Sequence, residues 1–313
     1  MAVGGYVYTY PDVARRESLL DVMNMLEPTD TQLLSGLMQG PANNTLHEWT
    51  IDTLETVGDN AQPEAGTAPL DASNDPIRPQ NITQIFAKTA TVSGSENADN
   101  LKRVSGKRMS RELVKKMKAL KNDIEFALVR GTIASGVASS STASARRLKG
   151  VKSWITSVAS NYGSATLTES MLNDSFQAVW ANGAEVDSVY TSMTGKRRIS
   201  GFTGPSGTQR QIPLEDRRLT NAIDVYSSDA AKLVKLFPHR HVTITADYTA
   251  FTVASNSFDV LALDEDYFGT AWYRRPFTQD LAITGDYVSK EIITELTLES
   301  RNQAGSAKLT QVD

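Results

Sequence analysis

The chain has 313 residues, 40% hydrophobic and 22% charged, with a net charge of -4. That is the composition of a foldable globular chain with room for a sizeable core, and it offers no global positive charge for nucleic acid. The absence of cysteine excludes disulfides, thiolate metal sites and cysteine nucleophiles, and no apolar run reaches the length of a membrane span.

Residues 1–44 read as an arm. An aromatic lead, MAVGGYVYTYPD, lacks the basic and apolar regions of a signal peptide. Val13, Leu19, Leu20, Met23 and Leu26 then form one helical stripe that Pro28 ends. A second short helix is expected through Leu33, Leu34, Leu37 and Met38, capped by Thr29 or Asp30 and closed by Gly40-Pro41.

Two strand-like runs follow, HEWTIDTLETV and NITQIFAKTATV. Trp49, Ile51, Thr53 and Val57 share one face of the first, and Ile82, Phe86, Ala90 and Val92 share one face of the second. Between them lies GDNAQPEAGTAPLDASNDPIRP, Gly58 to Pro79, with four prolines and no periodicity. Hairpin loops are usually about two to five residues. A lone two-stranded ribbon is also marginal in water. This hairpin, spanning 45–97, must therefore lean on its own domain or on another chain.

Residues 98–129 give the strongest helix signal: Leu101, Val104, Met109, Leu113, Met117, Leu120, Ile124 and Leu128 step by three to five. Roughly 30 residues make a rod of about 45 Å. Its other face is basic, with Arg108, Arg111, Lys115 and Lys118 among nine Lys and Arg side chains. The hairpin is acidic: Glu48, Asp52, Glu55, Asp59, Glu64, Asp71 and Asp75 against Arg78 and Lys88. Acidic hairpin on basic helix is the expected contact. The interface candidates are Trp49, Glu55, Asp59, Glu64, Asp71, Asp75, Arg78, Arg108, Arg111, Lys115 and Lys118.

Gly131 to Gly150, rich in Gly, Ser and Ala, reads as a mobile loop. A capped helix from Thr168 to Asn182-Gly183 follows, with Met171, Leu172, Phe176 and Val179 inward. EVDSVYTS is a strand, TGKRRISGF begins a helix, and Gly204 to Gln211 is a turn-rich loop. The strands NAIDVYSS, HRHVTITA and FDVLAL make residues 221–276 an α/β lobe. A last long strand, 288–312, breaks its alternation at Asn302 to Gly305.

No catalytic constellation assembles. His239 and His241 share a strand face, but no third His or Cys stands near them, so polar strand ends outweigh a metal pair. His47 reads as structural. Asp264, Glu265 and Asp266 lack the Gly and later Glu of a calcium loop, and a solvated acidic loop facing Arg274 and Arg275 outweighs a cation or acid–base site. SGFTGPSGTQ lacks phosphate-loop spacing, and there is no G-x-S-x-G elbow. We expect no enzyme, cofactor or metal. A DNA- or tail-associated protein working through the basic helix, and a metal-assisted hydrolase on Asp264, Glu265, Asp266, His239 and His241, are the alternatives.

The order of parts resembles the HK97-type fold of tailed-phage major capsid proteins, an α+β architecture. The blocks WTIDTLETVGDNAQPEAG, NITQIFAKTATVSGS, KALKNDIE (Lys118 to Glu125), ARRLKGVKSWI and YRRPFTQDLAITGDYVSKEIITELTLESRNQAG resemble the major head protein family typified by phage SU10. The resemblance implies an N-terminal arm at 1–44 and an extended loop at 45–97 that lies across a neighbouring subunit. It also implies a peripheral domain at 98–149 and 276–313 built on a spine helix, and an axial domain at 150–275. Gly131–Gly150 and Gly204–Gln211 become candidates for loops near the five- and six-fold axes. It implies a homo-oligomer of pentamers and hexamers in the virion, assembled in a host bacterial cytoplasm. Cement, scaffolding and portal proteins and non-specifically packaged DNA are its expected partners, with no membrane. The type member of the fold joins a loop lysine to a neighbour's asparagine; Gly58–Pro79 contains no lysine, so no such crosslink is expected.

Overall fold

The computed structural model describes residues 31–55, 57–67, 74–98, 108–136, 144–202, 224–228, 233–242 and 258–312. The first arm helix, Asp71, the loop Gly204–Gln211 and the start of the rod lie outside them.

The spine helix α3 spans Arg108–Arg130. Met109, Leu120, Ile124, Ala127 and Leu128 are buried on one stripe, which reproduces the expected spacing. A short helix, α2 (Gly94–Ala98), precedes it. The stripe of α3 packs on a four-stranded sheet ordered β1 (Met38–Pro41), β10 (Phe268–Asp280), β11 (Tyr287–Ser300) and β4 (Gln84–Ser93).

The second run of the hairpin belongs mostly to this sheet. β4 pairs antiparallel with β11 from Gln84↔Leu296 to Ser93↔Tyr287, and its Phe86, Ala90 and Val92 are buried. The expected long ribbon is thus corrected to a short one. β2 (Leu46–Glu48) pairs with β3 (Gln80–Ile82), and a single bridge joins Ile51 to Ile77. The reason is energetic: the apolar face of β4 finds the spine helix, whereas Thr53 and Val57 on the first run have no apolar surface to meet.

The second arm helix is α1, Gln32–Gly36, with Leu33 and Leu34 buried. It is shorter than expected because Met38–Pro41 leaves the helix and pairs parallel with Gly269–Trp272.

A six-stranded sheet ordered β5 (Val158–Ala165), β12 (Ala307–Val312), β9 (Phe258–Leu263), β6 (Ser188–Thr191), β8 (Val234–Pro238) and β7 (Val225–Tyr226) forms the second lobe. Its core takes Leu172, Phe176 and Val179 from helix α5 (Glu169–Ala181) and Ile199 from helix α6 (Met193–Ser200). Thr168 caps α5, accepting from Met171 N at 3.3 Å.

Three boundaries move. A strand lies just before HRHVTITA, at VKLFP, which pairs parallel with β6 and ends at Pro238; residues 239–242 of the expected strand form a turn, and 243–246 lie outside the described residues. The last strand is two: β11 stays in the first sheet, while β12, after the turn Gln303–Gly305, crosses to lie between β5 and β9. Residues 307–312 therefore pack with the lobe assigned to 150–275, because Ala307, Leu309 and Val312 fill its core. The 275/276 division also falls inside β10, which belongs to the first sheet from Phe268.

The ends of Gly131–Gly150 are built into the core. Ala134 bridges Arg147, and Leu148 is buried beneath helix α4 (Val151–Trp154). Gly150 N donates to Gly131 O at 2.9 Å, and a Cβ on Gly150 would stand 2.6 Å from Gly131 N. Only glycine permits that approach.

Candidate functional site

The extended loop is rooted firmly and ends bare. At its root, His47 Nε2 lies 2.7 Å from Glu299 Oε1, and Trp49 Nε1 donates to Ser300 O at 2.9 Å. The Trp49 ring meets Trp154 at 5.6 Å, and Lys149 Nζ stands 3.9 Å from the Trp154 ring centroid. Burial holds that lysine below its ordinary pKa. Trp49 is accordingly spent within its own chain. Arg78 reaches Glu48 at 3.8 Å across the root, in solvent.

Past the Ile51–Ile77 bridge the acids make local turns: Asp52 Oδ1 accepts from Thr53 N and Asp59 Oδ1 from Ala61 N. Glu55, Glu64 and Asp75 are exposed. Leu54 is 96% exposed and Val57 98%. Sequence reasoning placed Val57 on a sheet face and passed over Leu54; the only signal for it was its place three residues from Ile51 and from Val57. Covering such side chains is worth about 1.5–3 kcal/mol each, against about 0–1 kcal/mol for an exposed ion pair. On any partner surface the two apolar groups outweigh the acids.

The basic side of the spine helix is partly satisfied internally. Arg108 reaches Glu96 at 3.7 Å and Glu112 at 3.5 Å, while the helix's own Asp123 pairs with Lys88 of β4 at 2.7 Å. Lys115 and Lys118 are exposed beside Val114 and Met117, while Arg111 is half-buried. Arg274 does not face the acidic loop as expected. Its Nε donates to the buried Glu295 at 2.9 Å, alongside Arg146 at 2.8 Å and the Thr83 hydroxyl at 2.6 Å.

The Asp264–Asp266 loop is not a free acidic tip. Asp264 is buried and turns the chain, accepting from Asp266 N at 3.2 Å and Glu185 N at 3.4 Å. Asp187, Asp264 and Asp266 bring carboxylate oxygens within 4.8 Å of one another. Burial pushes Asp187 and Asp264 above their ordinary pKa, and the neighbouring acids add to it.

His239 is buried, and both ring nitrogens are engaged. Nε2 lies 2.8 Å from Glu125 Oε1, and Nδ1 accepts from His241 N at 3.2 Å. The reading of a polar strand end becomes a packed structural histidine with no nitrogen left for a metal. Glu125, on the spine helix, also accepts from Leu33 N and Leu34 N, each at 2.8 Å.

A spine helix on one sheet, a second lobe on another and a loop projecting from the first define an HK97-type capsid fold. Solved structures with the same architecture include the capsid of cyanophage P-SCSP1u, 10% identical, covering 100% of this chain and 97% of that chain with a TM-score of 0.61. A structure from Mycobacterium phage Cain is 13% identical, covering 98% and 99% with a TM-score of 0.62. The holo-SrpI encapsulin of Synechococcus elongatus PCC 7942 is 12% identical, covering 96% and 93% with a TM-score of 0.58. The chain belongs to the SU10 major capsid protein family, whose model matches residues 4–313. It is a major capsid protein of a phage, a component of the virion shell. The major capsid protein of Escherichia phage Phieco32 is 30% identical over 125 residues, which is 39% of this chain and 35% of that protein.

Proposed function

We propose that the chain assembles through pentamers and hexamers into a closed shell around double-stranded DNA, and that the extended loop and residues 1–44 clasp neighbouring copies without covalent bonds. The single observation that carries this reading is the loop itself. Its root is fixed by His47, Trp49 and the β2–β3 pair, while Leu54 and Val57 stand almost wholly in water. Two such side chains bare on one anchored arm suit burial against another copy.

The acids around Leu54 and Val57 suit a basic receiving surface, and Lys115 and Lys118 beside exposed Val114 and Met117 supply one on the spine helix. Many weak contacts repeated over a closed shell then give cohesion. Loops at Gly131–Gly150 and Gly204–Gln211 are assigned to the neighbourhood of the symmetry axes. Scaffolding, portal and cement proteins are the expected protein partners, packaged DNA meets the inner face without sequence preference, and assembly takes place in the host bacterial cytoplasm.

The test is negative-stain microscopy with sedimentation of the full chain and of a variant lacking Asp59 to Ile77. Shells, rings or capsomers that disappear with the deletion support assembly through the loop. A full chain that stays monomeric even with a scaffolding partner and crowding, but binds DNA with a steep salt dependence, supports nucleic-acid binding by the basic helix instead.

A further inference from the structure

Glu125 is a buried carboxylate that joins three segments distant in sequence, the foot of the N-terminal segment, the spine helix and the second lobe. It sits on the spine helix with no exposed surface. Oε1 lies 2.8 Å from Leu33 N and 2.8 Å from His239 Nε2, and Oε2 lies 2.8 Å from Leu34 N. Leu33 and Leu34 open the foot of the N-terminal segment, and His239 follows β8 of the second lobe. The donors are unambiguous. Two are backbone N–H groups, and His239 Nδ1 already accepts from His241 N, so its proton sits on Nε2.

The surroundings fix the geometry. His239 N donates to Thr191 O at 2.7 Å, its ring packs edge-on to Tyr190 at 5.9 Å, and Tyr190 OH donates to Glu265 Oε1 at 2.6 Å. The far end of α1 rests on the same Glu265: a Cβ on Gly36 would stand 3.2 Å from its Oε2. The foot is therefore held at its start by Glu125 and bounded at its end by Glu265, and each carboxylate is hydrogen-bonded to the second lobe, Glu125 through His239 and Glu265 through Tyr190, whose rings pack edge-on.

We infer that Glu125 and His239 form a clasp that positions the N-terminal segment and couples its seating to the placement of the second lobe on the spine helix. Moving the lobe relative to α3 pulls His239 from Oε1, the oxygen that also holds Leu33. Unseating the foot leaves the same oxygen short of a donor and loosens the lobe. A buried acceptor that loses a partner has no water to replace it, so the three parts shift together. The consequence for assembly rests on the proposed role of residues 1–44 between copies: the clasp fixes the position of Leu33 and Leu34 within that segment.

Hydrogen exchange at the Leu33 and Leu34 amides tests the clasp, using the full chain and the variants Glu125→Gln and His239→Phe, with residues 117–124 and 258–263 as internal references. In Glu125→Gln, exchange at the two amides is expected to rise about 10-fold or more while the references hold. His239→Phe removes the ring donor but keeps the carboxylate and both backbone donors, yet is expected to raise the same exchange by about threefold. Unchanged amides in His239→Phe overturn the coupling. References rising in step with the amides in that variant overturn it as well, because the pair is then ordinary core. Should Glu125→Gln fail to fold, His239→Phe decides alone. Particle yield is read separately: fast amides with full yield support the clasp and overturn the inter-copy role of residues 1–44.

Discussion

Leu54 and Val57 are the most exposed large hydrophobic residues among those described. Replacing both with serine is expected to leave the melting temperature of the unassembled subunit unchanged, since neither packs on its own chain. Each lost contact removes about 1.5–3 kcal/mol from a junction, so the particle fraction at fixed concentration falls steeply; sedimentation measures it. Gly150 argues the opposite case. Gly150→Ala places a methyl group 2.6 Å from Gly131 N and 2.8 Å from Ala127 O, and is expected to cost about 1–3 kcal/mol in the subunit itself. Thermal unfolding reads that loss. Asp187 gives a pH-dependent test. Its pKa is raised in the folded state by burial and by Asp266 and Glu265. The folded state therefore binds protons more readily than the unfolded chain. The resulting stability is present in acid and is lost as pH rises through the raised pKa. Asp187→Asn should then equal or slightly exceed the parent in stability at neutral pH and lose that advantage in acid, as urea unfolding at both values would show.

At the scale of elements, the outer face of the four-stranded sheet is tied by Glu295. Its carboxylate is buried and takes Arg146 from the segment after α3, Arg274 from β10 and Thr83 beside β3. Glu295→Ala removes the shared acceptor of two partly exposed guanidinium groups and of the Thr83 hydroxyl, and is expected to cost about 1–3 kcal/mol by chemical unfolding. Arg274→Ala is milder, because Arg146 remains and Arg274 is itself partly in water. The same comparison explains why elements were unevenly legible in the sequence. The α3 stripe and the Thr168 cap depend on residues three or four apart, and both are found where the spacing put them. The ribbon was misjudged because pairing partners are chosen by the whole sheet. β4 could join the first run or β11, and burial of Phe86 under α3 settled the choice.

At the scale of the molecule, two lobes share a seam at α3, α1 and the end of β8. His241 lies on this seam, and burial together with His239 depresses its pKa. The unfolded chain then takes up the proton first. The sign follows: stability falls as pH drops through the ordinary histidine range near 6.5. Between neutral pH and about 5.5, His241 is expected to weaken the subunit, and His241→Phe should flatten that slope. Whole particles carry a further expectation. With no lysine between Gly58 and Pro79, denatured shells should give a single chain mass. A mass corresponding to two linked chains would falsify non-covalent closure.

Local order was therefore determined by the sequence alone: the spine stripe, the capped α5, the FDVLAL strand, the break at Asn302 to Gly305 and the acidic, lysine-free loop. Blocks such as KALKNDIE carried the family resemblance as well, and the Glu125 of the clasp stands in that block as one more acid on a helix. Its burial could not be read there, because its three donors lie about 90 and 114 positions away. Tertiary structure likewise decided that β12 crosses to the second sheet, that Trp49 turns inward and that Leu54 stands bare. The physical reason is common to all of them. Periodicity records which face of a segment is apolar, while the partner of that face is fixed only when distant segments compete for the same buried surface and the same buried hydrogen bonds.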